Sequence, residues 1–200
     1  MAKTVDYYVT LISPWTYLGS QRFEQIVKKH GATVRIFPVD FGVIFPATGG
    51  LPLAKRAPER QKYRLMELER WRKYLGVPLT IHPKFFPANE AQAASATWAL
   101  KLEQGDAAAL KLAHAVLRAV WAEEKNVADP ETLKGIIAGA GFDAEALMGK
   151  AAAPEIAERR KSESEAAIAR GVFGAPSFVY KDEVFWGQDR LEFLDRALAV

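Results

Sequence analysis

Strand-type patterning is confined to the two ends of this chain, with a long helical stretch between them. Val5 to Ile12 is a run of apolar, β-branched and aromatic residues, and Thr33 to Val39 alternates Val34, Ile36 and Pro38. Strand character returns only after Gly171. There Ser177–Tyr180 and Val184–Trp186 flank Lys181-Asp182-Glu183, a hairpin signature. In the first run Val5, Tyr7, Val9 and Leu11 point to one face and Tyr8, Thr10 and Ile12 to the other. Both faces carry apolar residues, so this strand is expected at the centre of a sheet covered on both sides.

The first strand runs straight into a helix, and Ser13 sits at the joint. Trp15, Leu18, Phe23, Ile26 and Val27 recur at helical spacing, and His30-Gly31 closes the helix. Pro14 suits the first helical position, where no backbone N–H is needed. Ser13 is then the N-cap, beside unpaired N–H groups and the positive end of the helix dipole. That environment stabilises an anion, including a thiolate, although a lone serine before a helix is ordinarily a structural cap. Strand, helix and strand in succession make a βαβ unit with parallel strands.

Between the ends, Phe41 to Ala57 carries Gly42, Pro46, Gly49, Gly50 and Pro52, which predict a long loop ending at Lys55-Arg56. Pro58 opens a helix with Tyr63, Leu68, Trp71 and Leu75 on one stripe, closed by Gly76. A second loop, Pro78 to Ala88, holds Phe85 and Phe86. Asn89 is the expected cap of an Ala-rich helix, and Gly105-Asp106, Asp129-Pro130, Asp143 and Pro154 mark the starts of those that follow. Gly187-Gln188-Asp189 leads a last helix with Leu191, Leu194 and Leu198. The order β, α, β, helical block, β, β, α is the α/β frame of a thioredoxin-like fold interrupted by an all-helical insertion. The expected division is residues 1–45 and 171–200 for the two halves and 46–170 for the insertion.

Composition narrows the chemistry. The 200 residues are 50% hydrophobic, enough for one sizeable core or one domain with an insertion. The net charge is +3 with the signs interspersed, which points to neither nucleic acid nor a membrane surface. Met1-Ala2-Lys3-Thr4 leads into the first strand without a signal-peptide pattern, so a cytoplasmic protein is expected. There is no cysteine, which excludes disulfides, a thiol nucleophile and dithiol oxidoreductase chemistry by the chain itself. His30, His82 and His114 are scattered without metal-ligand spacing, and no metal is expected.

In a thioredoxin-like fold the turn after the first strand faces the residue before the third. Here that segment is Phe173-Gly174-Ala175-Pro176-Ser177. The proline at this place is characteristically cis, and the preceding residue, Ala175, offers its N–H and C=O to an extended peptide. Gln188-Asp189 is either an N-cap or a grip for a ligand's carboxylate and ammonium groups. Together these features describe a pocket for a short peptide with a thiol near Ser13, a description that glutathione matches.

Ser-Pro-Trp-Thr-Tyr-Leu-Gly at 13–19 resembles the N-terminal motif of kappa-class glutathione transferases and the related 2-hydroxychromene-2-carboxylate isomerases. The similarity continues through Arg70-Trp71, Leu75-Gly76-Val77-Pro78-Leu79, Ala119-Val120-Trp121, Val172-Phe173-Gly174-Ala175-Pro176 and Trp186-Gly187-Gln188-Asp189-Arg190-Leu191. The Val-Trp-x-Glu and Trp-Gly-x-Asp-Arg pieces are closer to the isomerases. The resemblance implies a DsbA-like architecture, glutathione as cofactor and a homodimer. It places Ser13 as the catalytic serine bonded to the glutathione sulfur, Ala175 and Pro176 at the backbone-pairing position, and Gln188 and Asp189 at the γ-glutamyl position. Relatives often carry Asn or Ser where Gln188 stands.

The implied reaction converts a cyclic chromene carboxylate to trans-o-hydroxybenzylidenepyruvate, in aromatic (naphthalene-type) degradation. It proceeds by reversible thiolate addition to the conjugated double bond, with ring opening and bond rotation before elimination. Lys55 or Arg56 is the candidate cation for the small aromatic carboxylate substrate. Trp15, Tyr17, Phe85 and Phe86 are candidate walls for its ring, with core packing as the competing role of each. The alternatives are a kappa-like glutathione transferase or peroxidase, and a non-catalytic DsbA-like binding module.

Overall fold

The computed structural model describes residues 3–200. Strand β1 (Thr4–Val9) leads through a short turn to helix α1 (Pro14–His30) and strand β2 (Thr33–Pro38). Seven helices follow: α2 (Phe41–Thr48), α3 (Pro58–Leu75), α4 (Ala91–Gln104), α5 (Asp106–Trp121), α6 (Pro130–Gly139), α7 (Ala144–Ala151) and α8 (Pro154–Ala169). The chain closes with β3 (Ser177–Tyr180), β4 (Glu183–Trp186), a 3₁₀ turn at Gln188–Arg190 and α9 (Leu191–Ala199). The sheet order is β2-β1-β3-β4, with β1 parallel to β2 and antiparallel to β3. This is the thioredoxin-like frame with a helical insertion. The β3–β4 hairpin turns on Lys181 and Asp182 at φ 49° and 64°, the paired left-handed residues of a two-residue loop.

Strand β1 lies in the interior, as its two apolar faces require. On one face Tyr7 stacks on Phe178 at 4.9 Å, and Phe23 of α1 closes on both rings. That core continues into α4 and α5, where buried Ala93, Ala94, Ala96, Ala109 and Ala113 accompany Trp98 and Trp121. On the other face Tyr8 and Val179 pack with Val39, Phe41, Ile44, Ala167 and Val172. Among the described residues, no helix is long and apolar enough to cross a membrane.

The structure corrects three local expectations. Residues 41–57 are not a continuous loop, because they hold α2 and a 3₁₀ turn at Leu53–Lys55. Asp40 caps α2 by accepting from Gly42 N–H at 2.8 Å, and Gly49 ends it in a left-handed conformation. Burial of Phe41 and Ile44 against α8 overrides the Gly and Pro content. The Tyr63 side of the α3 stripe faces solvent, with Tyr63 54% exposed, and Leu68 is the one fully buried residue of α3. Asn89 accepts from Ala91 N–H at 2.9 Å, but the residue at the N-cap of α4 is Glu90.

Glu90 turns inward instead of capping. Its Oε2 accepts from the Thr10 hydroxyl at 2.7 Å and from Leu11 N–H, and Arg160 of α8 lies 3.3 Å from Oε1. Arg160 also donates to Val39 O at 3.3 Å. One buried ion pair thus ties the ends of β1 and β2 to α4 and α8, just before the joint at Ser13.

Candidate active site

Ser13 stands where β1 has ended and α1 begins. Its N–H donates to Thr10 O at 3.2 Å, and its Oγ accepts from Thr16 N–H at 3.2 Å. Extended backbone at Ser13 (φ −77°, ψ 123°) and Pro14 in the first helical turn are what a serine followed by proline favours. The first turn of α1 carries no acidic residue, so the positive end of its dipole is not offset locally. The joint is also held from outside: the Trp121 indole N–H donates to Ile12 O at 3.2 Å, and the Tyr17 hydroxyl donates to Pro78 O at 2.7 Å.

The Phe173–Ser177 segment enters the sheet at the end where β1 leaves it, because Ser177 pairs with Tyr8. The Ala175–Pro176 peptide bond is cis. Pro176 O accepts from Gly187 N–H at 2.8 Å, and the Ser177 hydroxyl donates to Gly174 O at 2.7 Å. Half-buried Ala175 has no backbone hydrogen bond on either its N–H or its C=O among the described residues. Such a pair of groups is what an added extended strand requires. Gly174 lies beneath the Trp186 indole, which leaves no room for a Cβ.

Gln188 is 2% exposed and packs on α1, where a Cβ at Gly19 would stand 2.9 Å from its own. Arg22 donates to both its Oε1 (3.1 Å) and its backbone O (2.7 Å). The side-chain oxygen of Gln188 is therefore engaged by the protein itself. Burial pushes the Arg22 pKa down, and nearby Tyr74 and Asp189 act in the opposite sense. Asp189 caps no helix: the turn starts at Gly187 without a side-chain cap. Its carboxylate is 43% exposed and meets Arg190 at 2.9 Å, open to a cation. The level of Gly19 is six residues from Ser13, about 9 Å along the helix axis, close to the reach of an extended tripeptide, ~10 Å.

On the far side of Trp121 from Ile12 O lies a cavity of about 200 Å³ between α3 and the loop after it, lined by Leu53, Arg64, Leu65, Ile81, His82 and Phe86 among others. The Phe86 and Trp121 rings meet at 4.8 Å, and the Arg64 guanidinium sits 5.4 Å and 5.9 Å from their centroids. Burial pushes the Arg64 pKa down to about 10, and the Arg56 charge nearby adds to the effect.

The candidate substrate residues are dispersed. Phe86 lines the cavity. Phe85 is 37% exposed, with Lys84 Nζ 5.2 Å from its ring centroid. Trp15 packs half-buried on the main core, and Tyr17 is spent on its bond to Pro78. Lys55 is exposed, and Arg56 donates to Leu51 O at 2.8 Å. Arg22, Arg64 and Glu90 are additions that no local pattern signals, since charged helix residues ordinarily read as solvated. Among the described residues no group of three His, Cys, Asp or Glu is arranged to hold a metal ion.

Residues 4–199 match the family described as DSBA-like thioredoxin domain. The chain is 32% identical over 200 residues to a 2-hydroxychromene-2-carboxylate isomerase of Sphingobium xenophagum, covering 99% of each protein. It is 24% identical to glutathione S-transferase kappa 1 of Homo sapiens, covering 99% of this chain and 92% of that one. Among solved structures, a 2-hydroxychromene-2-carboxylate isomerase superposes with a TM-score of 0.84 at 29% identity, over 98% of this chain and 94% of that one.

Proposed function

The chain belongs to the DsbA-like thioredoxin-domain family and, within it, to the 2-hydroxychromene-2-carboxylate isomerases, and on that premise we propose that it is a glutathione-dependent isomerase of a chromene carboxylate. The observation that carries the reading is the unpaired backbone of Ala175 at the end of the sheet from which Ser13 also departs. The residues present fit glutathione: a cap hydroxyl at a helix start, a free N–H and C=O, and an exposed carboxylate on the residue after Gln188, which packs at the level of Gly19.

Ser13, Ala175 and Asp189 would hold glutathione, which would supply there a thiolate nucleophile for reversible addition to the conjugated double bond. Ser13 holds the sulfur as an anion by donating its hydroxyl hydrogen, and the N-terminal dipole of α1 favours the same charge state. Ala175 aligns the peptide backbone. Asp189 receives the ammonium group, and Arg22 fixes the turn that presents Asp189 by holding Gln188. The product is trans-o-hydroxybenzylidenepyruvate, a step of aromatic (naphthalene-type) degradation, and the protein acts in the cytoplasm as a homodimer. Similarity to the named isomerases supports the reaction, and similarity to the kappa-class transferase supports the cofactor.

The test is isomerisation of 2-hydroxychromene-2-carboxylate, followed by absorbance with and without glutathione. Turnover that needs glutathione is expected, and a rate indifferent to it overturns the reading. Asp189→Asn removes a charge-assisted hydrogen bond worth roughly 1.5–3 kcal/mol. Glutathione affinity, read by calorimetry, should then fall roughly ten- to a hundredfold. Because Asp189 caps nothing, the melting temperature of the unliganded protein should barely move.

A further inference from the structure

Arg64 is a cation without an anion. It lines the cavity between α3 and the loop after it, and among the described residues it forms no ion pair; burial and the neighbouring Arg56 both disfavour its charge. A guanidinium in such a place, with nothing on its own fold to neutralise it, is stabilised by any carboxylate that enters. The setting restricts what the carboxylate can be attached to. Phe86 and Trp121 flank the guanidinium, and Leu53, Leu65 and Ile81 supply apolar wall. At about 200 Å³ the cavity is smaller than a typical drug-sized ligand site, ~300–1,000 Å³. It therefore suits a small planar acid and not a peptide. Phe86 is the aromatic ring of its lining; behind Phe86 lies the buried Trp121, whose indole N–H donates to Ile12 O next to Ser13.

We infer that Arg64 is the carboxylate anchor of the substrate site, holding a small aromatic acid against Phe86 while the reacting carbon is presented toward Ser13. The inference rests on the isomerase reading for the identity of that acid. It moves the cation from Lys55, which is exposed, and Arg56, which bonds to Leu51 O, to a residue inside the cavity. Arg56 then raises the local positive potential without touching the ligand. The planar fork of Arg64 engages both carboxylate oxygens, a geometry that lysine cannot reproduce.

Two unreactive planar probes test this: chromone-2-carboxylate and its uncharged carboxamide. Calorimetry should show wild-type protein binding the carboxylate more tightly. Arg64→Leu should weaken the carboxylate roughly ten- to a hundredfold and leave the carboxamide unchanged. Arg64→Lys, which keeps the charge, should weaken the carboxylate severalfold with the carboxamide again unchanged, and it carries the test if the leucine variant fails to fold. Failure of the wild type to bind the carboxylate, equal loss of both probes, or carboxylate binding unaffected by either substitution overturns the inference. In the isomerisation assay Arg64→Leu should raise KM for the chromene carboxylate while glutathione affinity stays the same. Arg64-dependent probe binding without isomerisation by the wild type refutes the reaction and leaves the anchor standing. Isomerisation with an unchanged KM in Arg64→Leu refutes the anchor and leaves the reaction standing.

Discussion

Ser13→Ala lowers kcat at saturating glutathione by about 100-fold, the effect of removing one preorganised hydrogen bond to a developing or resident anion. The alanine also removes a cap whose oxygen accepts from Thr16 N–H, a loss worth about 0.5–2 kcal/mol of stability. Ser13→Gly separates the two effects, because glycine at an N-cap costs only about a few tenths of a kcal/mol relative to serine. Both variants should lose activity alike, and only the alanine should lose appreciable stability. The pH at which the glutathione thiol of the complex ionises should rise in both, since the hydroxyl no longer favours the thiolate. Wild-type kcat in Ser13→Gly would remove Ser13 from the chemistry and return it to a structural cap.

Glu90→Leu produces a large loss of stability. It deprives Arg160, whose side chain is 11% exposed, of its buried carboxylate and leaves it only the more exposed Asp40 at 3.5 Å. Breaking a buried pair from one side costs at most about 3–5 kcal/mol, the value for a charge left with no partner. For a chain of this size that lowers Tm by at most about 6–20 °C in a thermal melt. Glu90→Gln keeps the volume and part of the hydrogen bonding, so its loss should be smaller. A Glu90→Leu melting temperature within a degree or two of wild type would show that the pair contributes nothing.

The same residue predicts a pH signature. Burial is the largest influence on the Glu90 carboxyl and pushes its pKa up, against the pull of Arg160, Thr10 and Leu11. A raised folded-state pKa means that the folded chain holds this proton more tightly than the unfolded one. Its contribution to stability is complete below the ordinary glutamate value, ~4.3. It is lost as pH rises through the higher folded value. The Tm of wild type relative to Glu90→Gln should therefore decline as pH rises over that window. An increase with pH would show a lowered pKa and an ion pair that outweighs burial.

The parts legible in the sequence are those whose physics is local. Ser13-Pro14, Asp129-Pro130 and Asp143 announce their helices because a cap acts on residues within one turn, and each caps as expected. The central placement of β1 was legible from apolar residues on both of its faces. Residues 41–48 do not read as helix because the helix there depends on Phe41 and Ile44 meeting Tyr8, Ala167 and Val172, contacts that no local window contains. Arg22, Arg64 and Glu90 were hidden for the same reason. Glu90 is explained by Thr10, Leu11 and Arg160, and Arg22 by Gln188, all far away in the sequence. A charge on a helix is read as solvated until its distant partner is known.

The placement of β3 between β1 and β4 also bears on how the molecule is made. The central pairing of Tyr7 with Phe178 joins segments separated by nearly the whole helical block. During synthesis on the ribosome, the βαβ unit and the helices emerge while β1 still exposes the edge that β3 will occupy. Non-local pairing of this kind slows folding, and an unpaired edge is open to association with other chains until it is filled. Nascent chains stalled before residue 177 should therefore be the aggregation-prone and protease-sensitive species, with protection arriving in one step as β3 inserts. Ser13 at one end and Ala175 and Asp189 at the other come together only in that step, so no partly made chain should hold glutathione.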